Sequence, residues 1–148
     1  MPKLAPTALR VTAPTVLLVL LGACAAPAAP GAADRDVRGA WRIEQARTEP
    51  IYDKRLARID FAADGTLTGH TSCNRLSGRY TLDGDKLAIG PVATTRMACA
   101  RLQMEQEDRV LTALELARTA RVRADGLLEL RDEDGRGVLR ATRWRDGD

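Results

Sequence analysis

Asp-Gly pairs stand between the patterned runs of the chain at Asp64-Gly65, Asp83-Gly84, Asp125-Gly126 and Asp134-Gly135. Asp-Gly suits the tight turn of a hairpin, because such turns need backbone with positive φ, which glycine adopts without steric cost. The runs around these pairs alternate apolar and polar residues, the pattern of half-buried strands. Trp41 and Ile43 face one way with Arg42 and Glu44 opposite, and Ala57, Ile59 and Phe61 oppose Arg58 and Asp60. Residues 66–70 pair back, Leu76 to Leu82 places Tyr80 and Leu82 on one face, and Leu87 and Ile89 point inward on the return. Residues 118–123, 127–131 and 138–144 complete the set, while 47–54 and 91–98 read as irregular.

One segment departs from this period. Residues 102–117 place Val110, Leu111, Leu114 and Ala117 at helical spacing, a single buried stripe. The expected class is therefore mainly β (α+β): seven or eight short strands in a small antiparallel sheet curled toward a barrel, with one helix packed against it. Curling removes the unpaired edges that would otherwise template aggregation. Only five aromatic residues are present, so Leu, Val, Ile and Ala must fill the core.

The N-terminus is a different kind of segment. Lys3 and Arg10 precede an apolar run ending in Leu21-Gly22-Ala23-Cys24. A basic start, a short apolar core and a small-residue end describe a secretory signal too short to span a bilayer as a mature helix. Its last four residues resemble a bacterial lipobox. That resemblance implies removal of residues 1–23 and diacylation of Cys24, whose acyl chains anchor the protein at about 0.8 kcal/mol per buried methylene. Ala25 in place of an acid resembles an outer-membrane address, so the expected location is the cell envelope, on the outer membrane facing the periplasm. Residues 24–36 form an Ala/Pro tether that buries nothing, and 37–145 form the folded domain. The whole chain carries 23 basic and 20 acidic residues; without Lys3 and Arg10 the balance is 21 against 20, or +1. That near-neutral charge, with no basic run interleaved with aromatics, argues against nucleic acid as a partner.

The chemistry-bearing residues concentrate in two stretches. Residues 71–80 read Thr-Ser-Cys-Asn-Arg-Leu-Ser-Gly-Arg-Tyr and 94–99 read Thr-Thr-Arg-Met-Ala-Cys. Cys73 and Cys99 are the two cysteines left after Cys24. In an oxidising compartment they can pair, and a loop of about 27 residues closed this way contributes roughly 3–4 kcal/mol in the chain-entropy account. A redox-active pair is the functional alternative, though the spacing is not Cys-x-x-Cys. A zinc site from Cys73, Cys99 and His70 lacks the paired spacing zinc favours. Asn74, Arg75, Arg79 and Arg96 offer a polar rim whose guanidinium forks would take an acidic group. Glu107 falls on the helix's apolar stripe, where a carboxylate needs a partner; Arg79 or Arg96 is the expected one, the alternative being an exposed stripe edge. His70, the only histidine, reads as a surface residue. No Ser-His-Asp set, helical His-Glu motif or phosphate-binding Gly loop can be assembled, and neither metal nor cofactor is implied.

Trp41, Ile59-Asp60-Phe61, Cys73-Asn74-Arg75, Ser77-Gly78-Arg79-Tyr80 and Thr94-Thr95-Arg96-Met97-Ala98-Cys99 resemble the META domain, or HslJ-like heat-shock lipoprotein family. The resemblance covers roughly residues 37–140. It implies an exported, often membrane-attached β fold with a helix and no established catalysis, associated with heat shock and resistance to a hydrophobic antibiotic. The expected role is a non-enzymatic envelope protein, held to the membrane by its N-terminal lipid, that binds an envelope partner protein or a small apolar ligand and supports stress tolerance. The alternative is a thiol redox enzyme or sensor using Cys73 and Cys99.

Overall fold

A computed structural model describes residues 36–145. The proposed signal, Cys24 and most of the tether lie outside the described residues.

Among the described residues ten strands and one helix follow in order: β1 (Gly39–Ala46), β2 (Glu49–Pro50), β3 (Arg58–Phe61), β4 (Thr66–His70), β5 (Arg75–Asp83), β6 (Lys86–Ile89), β7 (Ala93–Thr94), α1 (Arg101–Leu116), β8 (Thr119–Val122), β9 (Leu128–Arg131) and β10 (Gly137–Arg143). The expected seven or eight strands are the eight longer ones. The other two, β2 and β7, are two-residue pairings within the stretches read as irregular. They arise because backbone groups laid beside β1 and β5 find ladder partners there.

Every pairing is antiparallel, and the eight longer strands close a ring in the order β1-β3-β4-β5-β6-β8-β9-β10, with β10 returning to β1. The ring is uneven. At its thinnest seam β6 meets β8 through the single register pair Lys86↔Thr119, flanked by Leu87 N–H donating to Arg118 O and Ala120 N–H to Asp85 O. Gly65, Gly84, Gly126 and Gly135 have φ between +60° and +81°. The Asp64 carboxylate accepts from Thr66 N–H at 2.9 Å and that of Asp125 from Leu127 N–H at 3.2 Å, which fixes the strand register.

Trp41, Ile43, Ile59, Phe61, Leu67, Leu128, Leu130 and Leu139 fill the ring's interior. The few aromatics also carry polar handles: Trp41 Nε1–H donates to Val37 O at 2.8 Å and Tyr80 O–H to Ala62 O at 2.7 Å. The helix adds Val110, Ala113 and Leu114 to this core. Its buried stripe differs from the expected set in two respects: Leu111 is only partly buried, and Gln106 is buried beside Glu107.

The ring has two ends. Residues 36–38 enter beside the Asp64-Gly65 turn, where Arg38 lines a groove with Asp64, Gly65, Arg79 and Tyr80. At the opposite end lie the start of β3, the β4–β5 turn and the N-terminus of α1, since Arg58 pairs His70 and His70 pairs Arg75.

Candidate functional site

The two cysteine-containing stretches meet at that second end. Cys73 and Cys99 form a disulfide with Cα atoms 5.9 Å apart. It ties the β4–β5 turn to the segment entering the helix.

The turn is built around Thr71. Its N–H donates to Asn74 O at 2.9 Å, and its Oγ1 accepts from Asn74 N–H at 3.0 Å and donates to Glu107 Oε2 at 2.6 Å. Ser72 takes the left-handed conformation, φ +74°, costing about 1–2 kcal/mol for a residue with a Cβ. Three hydrogen bonds hold it there. The Ser72 N–H donates to His70 Nδ1 at 3.0 Å, its hydroxyl donates to Asp53 O at 2.7 Å, and the Thr71–Asn74 backbone bond closes beneath it.

Asn74 uses its whole amide. Nδ2 donates to Glu107 Oε1 at 3.1 Å and reaches Met97 O at 3.4 Å, while Oδ1 accepts from Thr95 Oγ1 and Met97 N, both at 2.8 Å. Two donors and two lone pairs are all engaged. Gln106, beside Glu107 on the helix, makes three such bonds. Its Nε2 donates to Asp53 O at 2.9 Å and Thr71 O at 2.8 Å, and its Oε1 accepts from Asp53 N–H at 2.9 Å. Four separate segments (the loop at 53, the turn at 71–74, the segment at 95–97 and the helix at 106–107) are thus bonded through buried side chains.

The expected partner of Glu107 was therefore the wrong kind of residue. Glu107 is buried, as its place on the stripe required, but a hydroxyl and an amide hold it, not Arg79 or Arg96. Arg79 lies midway along β5 and turns to the β3–β4 hairpin, bonded to Thr66 Oγ1 at 3.1 Å and Asp64 O at 3.3 Å. The proposed rim of Asn74, Arg75, Arg79 and Arg96 does not gather around one cleft. Asn74 points into the core, Arg96 is exposed, and Arg75 and Arg79 sit four residues apart on β5, about 13 Å at strand rise. His70 is half-buried rather than exposed, and both cysteines are committed to each other rather than to a metal.

Gln106 and Asp53 were missed as members of the cluster. The signal for Gln106 was present: it stands four residues before Val110, on the same stripe as Glu107. Asp53 carried no signal, because its backbone makes the contacts to Gln106. Its carboxyl, which accepts from Arg55 and Gln103, is held down to about 2, the Arg55 guanidinium being the main cause.

Large apolar side chains surround this knot on the outside. Tyr52, Leu56, Met97, Leu102 and Met104 are 41–68% exposed. They come from two segments, 52–56 and 97–104, which the bonds from Asp53 to Gln103 and Gln106 hold side by side. Met104 Sδ lies 3.6 Å from Cys73 Sγ, so the bridge forms part of the patch's floor.

The model of the META domain family matches residues 35–144. Among solved structures, an NMR structure of a protein from Burkholderia xenovorans is 28% identical with a TM-score of 0.55, over 72% of this chain and 81% of that one. A second NMR structure, 23% identical with a TM-score of 0.53 over 71% and 88% of the two chains, shares the fold. None of the curated proteins matches the chain.

Proposed function

Because the chain belongs to the META domain family, we propose that it is a non-enzymatic, lipid-anchored cell-envelope protein that docks a partner protein through the apolar patch beside the Cys73–Cys99 bridge. The observation that carries this reading is the division of labour within the motif. Its polar atoms (Thr71, Asn74, Gln106 and Glu107) are spent on one another, and large apolar side chains are left outside. Such a patch is the usual mark of an interaction surface, and Tyr, Met and Leu give it bulk and adaptability. A partner protein is favoured over a small apolar ligand because core side chains fill the ring's interior.

Position supports the same reading. The N-terminal segment enters at the Asp64-Gly65 end, and the patch lies at the other. With Cys24 acylated, residues 24–35 would span up to about 40 Å, and the patch would face away from the outer membrane into the periplasm. The partner interaction would then support envelope stress tolerance.

A photo-crosslinking residue placed at Leu102 in living cells tests this reading. One discrete adduct, lost when Met97→Asp is added and not formed from Thr81 on the other end, is the expected result. No adduct, or the same adducts from both positions, rejects it.

The redox reading has one observation in its favour: Cys99 is only half-buried, so a reductant can reach the bridge. Rapid alkylation of one thiol at neutral pH after mild reduction would support it, because catalysis needs a depressed thiol pKa.

A further inference from the structure

Four neighbouring strands align basic side chains in one row. The register pairs Arg42 with Arg58, Arg58 with His70, and His70 with Arg75, across β1, β3, β4 and β5. Directly opposed residues project from the same face of a sheet, and like charges so placed oppose folding. The cost is partly relieved at Arg42, which bonds Glu44 at 3.0 Å. It is not relieved further along. Most arginines elsewhere face a carboxylate: Arg55 pairs Asp53, Arg101 pairs Glu105, Arg121 and Arg131 share Glu129, and Arg136 pairs Asp132. Among the described residues neither Arg58 nor Arg75 has such an ion pair. Arg58 instead lies over the Trp144 ring, 5.6 Å from its centroid, which fixes its direction without neutralising it.

These side chains line a groove of about 490 Å³ whose wall includes Arg58, His70 and Arg75 together with Thr68, Ser77 and Thr94. The lining contains no carboxylate. The acid closest in register, Asp60, is one row away, opposite Thr68. The His70 ring is oriented for donation: its Nδ1 accepts from Ser72 N–H, so the neutral ring carries its proton on Nε2. Its pKa is lowered by burial and then by Arg75 and Arg58, with Glu107 acting the other way, which fits a groove of positive potential.

We propose that the groove formed by Arg58, His70 and Arg75 binds an anion of the phosphate class. Arg58, His70 and Arg75 line it from three adjacent strands, with Thr68 and Ser77 paired in the next row. An anion with several oxygens can accept from all of them, whereas a planar carboxylate is matched by a single fork. The phosphate would come either from a soluble ester or from a lipid headgroup. The site is separate from the apolar patch and stands or falls independently of partner docking.

The chain's single histidine makes the test direct, since His70 gives the only imidazole signal. Inorganic phosphate is titrated into the full chain at pH 7, against sodium chloride at matched ionic strength, and the signal is followed by NMR. A saturable shift with phosphate, absent with chloride, is expected. Arg58→Gln and Arg75→Gln should each weaken binding about tenfold or more, the loss of one charge-assisted hydrogen bond, while unfolding at the wild-type temperature or above it. Arg75→Lys, which keeps the charge and loses the fork, should fall between. A second arm measures co-sedimentation with phosphatidylglycerol vesicles. Binding there alone, sensitive to the same substitutions, assigns the phosphate to a headgroup. Equal shifts with phosphate and chloride, joined to vesicle binding that ignores Arg58 and Arg75, would overturn the proposal.

Discussion

The Asn74 side chain donates to Glu107 across 33 positions of sequence, Nδ2 to Oε1 at 3.1 Å, and both residues are buried. Neither residue could be buried alone at reasonable cost. Together with the Thr71 hydroxyl they bury a carboxylate with both oxygens engaged, where a sheet turn meets a helix.

Replacing Asn74 by Ala leaves Glu107 Oε1 and Met97 N–H without their partners. Losing a hydrogen bond to a buried charge costs about 3 kcal/mol or more. Urea unfolding at neutral pH should show that loss. A cost below 1 kcal/mol would mean that water replaces the amide and the cluster is not closed.

The bridge predicts a stability loss of similar size by another route. Cys73→Ser with Cys99→Ser, or reduction of the wild type, should cost about 3–4 kcal/mol from loop closure. The double variant should no longer respond to dithiothreitol. An unchanged melting temperature on reduction would contradict a structural bridge.

Gly69 has no room for a side chain. A Cβ there would lie 2.4 Å from the Arg58 carbonyl oxygen and 3.2 Å from Ile59 Cα, both backbone atoms that cannot swing aside. Gly69→Ala should cost about 1–3 kcal/mol as an overpacked site. By contrast, at Gly84 on a hairpin tip no neighbour lies within 4 Å, although φ there is +60°. Gly84→Asn, whose side chain tolerates that conformation, should change stability by under about 1 kcal/mol.

The acid limb is set partly by Asp53. Its folded-state pKa is about 2 against an ordinary 3.8, chiefly because Arg55 donates to the carboxylate, with Gln103 adding to the effect and burial opposing it. A depressed carboxyl stabilises the fold fully above its unfolded pKa and loses that contribution as pH falls through the folded one. The gap in melting temperature between wild type and Asp53→Asn should be widest near neutrality and close between about pH 4 and 2. A gap constant with pH would assign the role to the Asp53 backbone alone.

The hairpins were legible because period-two alternation and Asp-Gly turns are local. Ile59 and Phe61 point inward as their spacing requires, and each of the four turn glycines has positive φ. Ring closure was visible only as a tendency. Pairing of β1 with β10 joins Trp41 to Arg143, and no local pattern encodes a contact of that sequence separation. The same limit explains the site. That Glu107 is buried follows from helical spacing, but its partners, Thr71 and Asn74, are uncharged, and a search for an opposite charge passes over them. The cationic row depended on register as well. Arg58, His70 and Arg75 become neighbours only once three strands are aligned.

Membrane attachment through Cys24 has its own test. Cys24→Ser should move the protein from the membrane fraction to the soluble periplasm, its folded domain unchanged. Continued sedimentation with membranes would remove the lipid anchor from the account.

The central claim is that the patch, rather than the polar knot beneath it, does the protein's work. Met97→Asp with Leu102→Asp alters two exposed side chains and should leave the melting temperature within a few degrees of wild type. The measurement is envelope permeability of a deletion strain complemented with this variant. The account predicts permeability as high as in the deletion, despite normal amounts of folded protein. Full rescue by the variant would contradict it.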